Sequence, residues 1–298
     1  MKSSYKYKCG IDTMEIISPT HIDFSPPFFT HDTTRRIVGN SLTESYAYRF
    51  NPSYTPFTYN YSLTNCSSAL DYAMKNTELN EPIINRIDFC FDDRSNNYRD
   101  LYKLNHLLFY LIAKKLNISN DYSSCGIQSP VQKTLRIQNS KLQAEFYNKA
   151  VEDPEGDIRC RLELRISRVK CATNDIASIT LALKKWMDIL ASVTALKNKD
   201  LDMLLGDLND EIMKRYNEDV QRGDYRKKDY DSMIQRYNKY IFTRRQLSQL
   251  LKRMEYKSYD SVASKYKEKH PGLEFFKTGE LRAYVNHIKC TAEQFLQS

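Results

Sequence analysis

Three short segments between residues 83 and 168 alternate polar and apolar side chains so regularly that they leave little choice of local structure. Ile83–Asp92 carries Ile87, Phe89 and Phe91 at every second position, with Arg86, Asp88, Cys90 and Asp92 between them. Leu142–Tyr147 sets Leu142, Ala144 and Phe146 against Gln143, Glu145 and Tyr147, with Lys149 continuing the second series. Arg161–Ile166 sets Leu162, Leu164 and Ile166 against Arg161, Glu163 and Arg165. Successive side chains of a strand point to opposite faces, so a period of two predicts strands with one face in a core.

Taken singly, each segment reads as an ordinary half-buried antiparallel strand with a solvated face. Paired in one sheet, they gather Asp88, Asp92, Glu145 and Glu163 on a single face, with Arg86, Lys149, Arg161, Arg165 and one tyrosine hydroxyl. Hard carboxylate oxygens suit Mg²⁺ or Mn²⁺. Cations beside them can hold phosphates, and a tyrosine hydroxyl is a usable nucleophile. Such a set fits metal-assisted phosphodiester transfer.

The first ~170 residues read as strand-rich, with aromatic runs such as Tyr46–Phe50 and Phe57–Tyr61 and polar connections at Pro26-Pro27 and Pro52. One helix is predicted inside them, over about 100–116, from Leu101, Leu104, Leu108, Leu111 and Ile112 at helical spacing. Strands interrupted by a helix of this length predict an α+β fold, an antiparallel sheet with covering helices. From about Asn174 the period turns helical, and Leu181, Leu183, Trp186, Leu190 and Val193 mark an amphipathic face. The charged stretch Asp219–Asp231, with Gly223 inside it, reads as a connection or a solvated helix end. Two domains are expected, residues 1–196 and an all-helical 197–298.

Composition narrows the setting. No run approaches the ~20 apolar residues of a membrane helix, and the first eight residues have no apolar stretch behind them. A cytoplasmic protein with no membrane partner is expected. The seven Cys are scattered, with no C-x-x-C pair, so they read as reduced, mostly core thiols rather than a disulfide or zinc framework. The net charge is +8, which favours an anionic partner.

At the alternating strands the sequence is also familiar. Arg86-Ile87-Asp88-Phe89-Cys90-Phe91-Asp92 resembles the R-hydrophobe-D-x-x-x-D strand of the replication initiation factor family. That family comprises plasmid rolling-circle initiators and related relaxases of conjugative elements. Gln138–Lys149 resembles its following hairpin, which ends in hydrophobe-Tyr-x-Lys, and Ile158–Leu164 its R-hydrophobe-E strand. Gly10-Ile11-Asp12-Thr13 is similar to the Asp-Thr strand that opens many such domains. Filamentous-phage replication proteins share the Y-x-K and R-x-E pair. The resemblance spans roughly residues 8 to 170.

It departs at Arg136–Ser140, where the family carries a glycine-bearing turn, and at Arg165, where many members have a second acid. The resemblance implies a DNA-nicking domain in which Tyr147 attacks a phosphodiester and becomes linked to the 5′ phosphate, leaving a 3′ hydroxyl. It implies Asp88 and Glu163, then Asp92, as ligands of Mg²⁺ or Mn²⁺. Lys149 and Arg161 would contact phosphate, and Arg86 and Arg165 the DNA. Origin DNA is the implied partner, with a host helicase and a second copy of the chain as further expected partners.

Other motifs are lacking. No His-hydrophobe-His pair occurs among the five His, which argues against the nickase class that binds its metal that way but not against nicking, and there is no G-x-x-x-x-G-K-[ST] loop. His106 reads as a surface or partner-facing residue. Thr243–Leu251 reads as a capped helix and a second basic helix is expected from Ser258; the pair resembles a helix-turn-helix. A last helix is expected from Gly279 toward Phe295. Arg244, Arg245, Lys252 and Arg253 are therefore candidate DNA contacts. The expected activity is a site-specific single-strand nick that starts rolling-circle replication. A relaxase acting at a transfer origin and a DNA-binding regulator are the alternatives.

Overall fold

The computed structural model describes residues 7–22, 26–37, 44–57, 60–94, 98–118, 134–224, 229–256, 275–276 and 278–298. The fold is α+β. Among the described residues seven strands form one antiparallel sheet: β1 Tyr7–Ser18, β2 Phe29–Ile37, β3 Glu44–Phe50, β4 Ile83–Asp93, β5 Leu135–Gln138, β6 Leu142–Tyr147 and β7 Cys160–Ala172. Their order is β2-β3-β1-β4-β7-β6-β5. The helices are α1 Leu63–Lys75, α2 Tyr98–Lys115, α3 Lys149–Glu152, α4 Ile176–Thr194, α5 Asn198–Gln221, α6 Tyr230–Tyr237, α7 Arg244–Arg253 and α8 Thr278–Leu296. No helix among the described residues is long and apolar enough to cross a membrane.

Two compact units interleave along the chain, where a single cut after residue 196 was expected. Met1–Tyr98, Ala113–Ala191 and Tyr284–Ser298 make the first, and Arg99–Ile112 with Ser192–Ala283 the second.

In the first unit the apolar series of the three alternating strands is buried as the period demands: Ile87, Phe89 and Phe91, Leu142, Ala144 and Phe146, Leu162, Leu164 and Ile166. A buried side chain of this size contributes about 1.5–3 kcal/mol, so a one-residue slip of register would be strongly disfavoured. α4 lies on the sheet, its buried Trp186 donating from Nε1 to the Arg165 carbonyl at 3.2 Å. Leu181, expected on that buried face, is 70% exposed, while Ile179, Ala182 and Met187 are buried in its place. The described residues of the aromatic run 57–61 are not strand: Phe57 lies outside any element and Asn60 and Tyr61 form a turn leading into α1. Ser62 caps that helix by accepting from the Asn65 amide at 3.4 Å, and Leu63, Cys66, Ala69, Leu70 and Ala73 bury its inner face.

The second unit is helical. Leu201, Leu205, Leu208 and Ile212 of α5 are buried, as are Met233 and Ile234 of α6 and Leu247, Leu250 and Leu251 of α7. Thr243 caps α7 as the sequence predicts, accepting from the Gln246 amide at 3.1 Å. The helix expected from Ser258 lies outside the described residues, as does Cys125. His106 is not on the surface. It is buried with its ring 5.3 Å from that of Tyr240 and 5.4 Å from that of Phe242, because it shares the apolar side of α2. Nor is the Asp219 stretch wholly solvated: Asp219 is buried and accepts from Tyr237 Oη at 2.9 Å. Five of the seven Cys (9, 66, 90, 160 and 171) are buried free thiols, and Cys290 is exposed.

Candidate active site

Register builds the site row by row on the polar face of the sheet. Lys8, Asp92, Arg161 and Tyr147 stand side by side on β1, β4, β7 and β6. The next row is Gly10, Cys90, Glu163 and Glu145, and the one after it Thr13, Asp88, Arg165 and Gln143. Between Ile11 and Thr13 the pairing of β1 with β4 slips by a residue, leaving Asp12 without a partner opposite it. Such a bulge re-aims a side chain. Here both Asp12 and Thr13 belong to the half-buried polar side, and Thr13 Oγ1 donates to Asp12 Oδ2 at 2.9 Å.

Arg161 is the hub. Its Nε donates to Asp92 Oδ1 at 2.5 Å and its second terminal nitrogen to Asp92 Oδ2 at 2.9 Å, a two-pronged pairing. Its other terminal nitrogen bonds Asp12 and lies 3.9 Å from Glu163 Oε1. Arg161 and Asp92 are 5% and 1% exposed, so each requires the other: an unpaired charge at that depth costs several kcal/mol. Arg165 Nε donates to Asp88 Oδ1 at 2.8 Å, and the Arg86 Nε stands 3.1 Å from the same oxygen.

Tyr147 Oη donates to Glu163 Oε1 at 2.8 Å. Burial, then the negative charge of Asp12, pushes Glu163 up to about 7, against the pull of the Tyr147 hydrogen bond and of Arg161. Burial and the Glu163 charge hold the Tyr147 phenol well above its ordinary value. Asp88 is raised by burial, with Arg165 and Arg86 working against the shift. Asp12 also adds to the raising of Asp88, so Asp12, Asp88 and Glu163 crowd like charge together.

Sequence-predicted residues divide into two groups. Asp88, Asp92, Arg161, Glu163, Arg165, Arg86 and Tyr147 are brought together on one face, as alternation requires. Lys149 leaves the strand, because β6 ends at Tyr147 and Asn148 caps the short α3 by accepting from the Ala150 amide at 3.2 Å. Its Nζ pairs with Glu152 at 2.7 Å and lies 5.9 Å from the centre of the Tyr147 ring. Glu145 is tied to Arg136 on β5 at 2.8 Å. Arg244, Arg245, Lys252 and Arg253 are exposed on α7, where Arg245 pairs with Asp202 at 2.6 Å and Arg253 with Asp210 at 2.5 Å.

Two members had no assigned role in the sequence. Asp12 sits in a motif whose Asp-Thr pair is its only signal. Tyr61, whose Oη donates to Asp92 Oδ2 at 2.7 Å, arrives from a turn that no periodicity marks.

The donor set fits a hard divalent cation in chemical kind, three mutually repelling carboxylates being what such an ion relieves. It is not a closed cage: among the described residues no three His, Cys, Asp or Glu side chains converge as metal ligands, and Asp92 is held by Arg161.

No family model matches the chain, and no curated protein matches it. A solved structure, a rolling circle replication initiator protein from Geobacillus stearothermophilus, is similar over 59% of this chain and 77% of its own, with 14% identity and a TM-score of 0.31. At that level the likeness assigns no role to any residue here.

Proposed function

We propose that this chain cuts one DNA strand through a covalent phosphotyrosine at Tyr147 and so initiates rolling-circle replication. The observation that carries this reading is the Tyr147 hydroxyl, donating to Glu163 at 2.8 Å beside Arg161 on a face crowded with carboxylates and guanidinium groups. A phenol is a poor nucleophile until its proton has somewhere to go. Glu163 stands within reach at about 7, where a general base works best near neutral pH.

In the step itself Tyr147 Oη forms a bond to phosphorus, the bond from phosphorus to the 3′ oxygen breaks, and the proton passes through Glu163 to the departing oxygen. Arg165 and Lys149, the less buried cations beside Tyr147 and Glu163, are assigned to the phosphate oxygens. Arg161 and Asp92 hold the frame, since their charges already satisfy one another. Mg²⁺ or Mn²⁺, expected from the sequence on Asp88 and Glu163, would on this reading be held by Asp88 with Asp12 beside it, leaving Glu163 free to carry the proton, and would polarise the scissile phosphate and offset the charge that develops on it. The linkage conserves the phosphodiester bond energy for rejoining. Origin DNA is the partner this reading requires.

The test mixes the protein and Mg²⁺ or Mn²⁺ with supercoiled DNA carrying its own coding region and flanks, with Tyr147→Phe alongside. Relaxed circles and a denaturation-resistant adduct are expected from the natural sequence alone. Equal nicking by both would put the chemistry on another residue, and binding without a nick would make the chain a DNA-binding regulator.

A further inference from the structure

Most cations of the sheet's polar face are spent on acids, as Arg161 is on Asp92 and Arg165 on Asp88. Three cations beyond that network are not. Lys141, Arg168 and Lys170 are exposed, and among the described residues no acid pairs with any of them. The next acid along the chain, Asp175, is occupied in capping α4, where it accepts from the Ser178 amide at 3.0 Å and hydroxyl at 2.6 Å.

Two of the three sit on a bulge. Ser167 of β7 stands opposite Arg86 of β4 and Cys171 opposite Ile84, so Arg168, Val169 and Lys170 together face the single residue Asn85. A bulge of this kind re-aims side chains. Arg168 and Lys170 have φ of 62° and 54°, the left-handed region that glycine adopts freely and L side chains resist. Glycine at both positions would relax a bulge that served shape alone; this one holds a cation at each. Lys141 is brought alongside by the Ser167 amide, which donates to the Lys141 carbonyl at 2.7 Å. The β5–β6 turn that carries it is closed by Asn139 Oδ1, accepting from the Lys141 and Leu142 amides at 2.9 and 2.8 Å.

Register gives this patch a fixed distance from the candidate nucleophile. Tyr147 faces Arg161 at one end of the β6–β7 pair, and Lys141 lies beside Ser167 at the other. At the rise of a strand the separation is about 20 Å, which is about six phosphates along one strand of a duplex. Residues 138–141 and 168–170 include no aromatic side chain. They offer cations for phosphates and no surface on which unpaired bases could stack.

We infer that Lys141, Arg168 and Lys170 form a clamp on the phosphate backbone of duplex DNA, about six base pairs from the phosphate that Tyr147 attacks; this rests on the strand-cleaving reading above. The clamp takes no part in the chemistry. It sets how far from a duplex flank the cut falls, because the strands that carry it also carry Tyr147.

The experiment uses the full chain and duplexes containing its mapped nick, with flanks of about four or about twelve base pairs on each side in turn, bracketing the six-pair distance. Affinity is read by fluorescence anisotropy across a salt series, and the phosphotyrosine adduct is measured at saturating DNA. The variant carries Arg168→Gly and Lys170→Gly, which removes both charges and keeps a backbone that glycine adopts without strain. On the long flank of one side it should bind about 10–100-fold more weakly at 0.1 M salt, with the salt slope of affinity reduced by about two. On the short flanks it should bind as the natural chain does, and its adduct yield should be unchanged. Arg168→Lys with Lys170→Arg, which keeps both charges, should keep the natural slope. Unaltered affinity of the glycine variant on every long flank would overturn the inference. So would equal weakening on short and long flanks, a single-stranded flank that serves as well as the duplex, or a reduced slope in the charge-keeping variant. A natural chain that forms no adduct would instead sink the strand-cleaving reading, and the inference with it.

Discussion

The polar face of the sheet and the exposed side of α7 both carry arginines paired with acids, yet the two regions use charge differently. On the sheet, Arg161 and Asp92 are almost wholly out of water and joined by two hydrogen bonds. On α7, the side chain of Arg245 is 69% exposed and its partner Asp202 sits on a neighbouring helix. An exposed pair is worth about 0–1 kcal/mol and is screened by salt. It can exchange an acid for a phosphate at little cost. A buried pair cannot, because removing either partner strands the other without water. The sheet therefore fixes its geometry before any substrate arrives, while α7 is suited to contacts that form and break.

Replacing one member of the buried set should produce the largest effect on stability. Arg161→Met leaves Asp92 and Asp12 without their counter-charge and should lower unfolding free energy by about 3–5 kcal/mol, measured by denaturant titration. A loss below 1 kcal/mol would erase the contrast between the two regions.

The helical unit has one buried group that extends the comparison. Burial, followed by the charge of Lys239, holds His106 down to about 3 from its ordinary 6.5. The unfolded chain thus takes up that proton first, and stability falls as pH drops from about 6.5 toward 3. Between pH 6.5 and 5 the loss should be about 2 kcal/mol, and His106→Phe should flatten that slope. An unchanged slope would move the acid sensitivity elsewhere.

On the sheet the pH dependence concerns rate. Glu163, raised to about 7, becomes protonated as pH falls and can no longer take the Tyr147 proton. Adduct formation should decline about tenfold per pH unit below that point. A rate flat from pH 7 to 5 would remove Glu163 as the base.

The smallest effects belong to α7. Arg245→Ala and Arg253→Ala should change stability by about 0–1 kcal/mol. If they contact DNA phosphates, each should weaken binding across sequences alike and reduce the salt slope of affinity by about one. Unchanged binding and slope would take α7 out of the DNA interface.

The pattern of what the sequence revealed follows from physical range. Side-chain alternation is local, and once β4, β7 and β6 pair in register it dictates which residues meet. Asp88, Asp92, Arg161, Glu163, Arg165 and Tyr147 were therefore legible on one face. Asp12 was not, because a bulge in β1 breaks the period at that residue. Tyr61 comes from a turn whose seat depends on Gly10, a contact between segments fifty residues apart. Lys149 follows the alternation on paper, but Asn148 caps a helix and ends the strand first. α1 carried its own signal, Ser62 ahead of Leu63, Cys66, Ala69, Leu70 and Ala73, masked by the aromatic run before it. Leu181 and His106 were misplaced because helical spacing marks an apolar stripe without fixing its edges.

The central claim is that this polar face cuts DNA through Tyr147, and identifying the linked amino acid tests it most directly. A strand labelled on the 3′ side of the mapped nick would be incubated with the full chain, and the protein then denatured, digested and its labelled peptide sequenced. The account predicts label on the peptide containing Tyr147, joined through the 5′ phosphate, and none with Tyr147→Phe. Label that survives in Tyr147→Phe, or cleavage that leaves no protein on the strand, would contradict it.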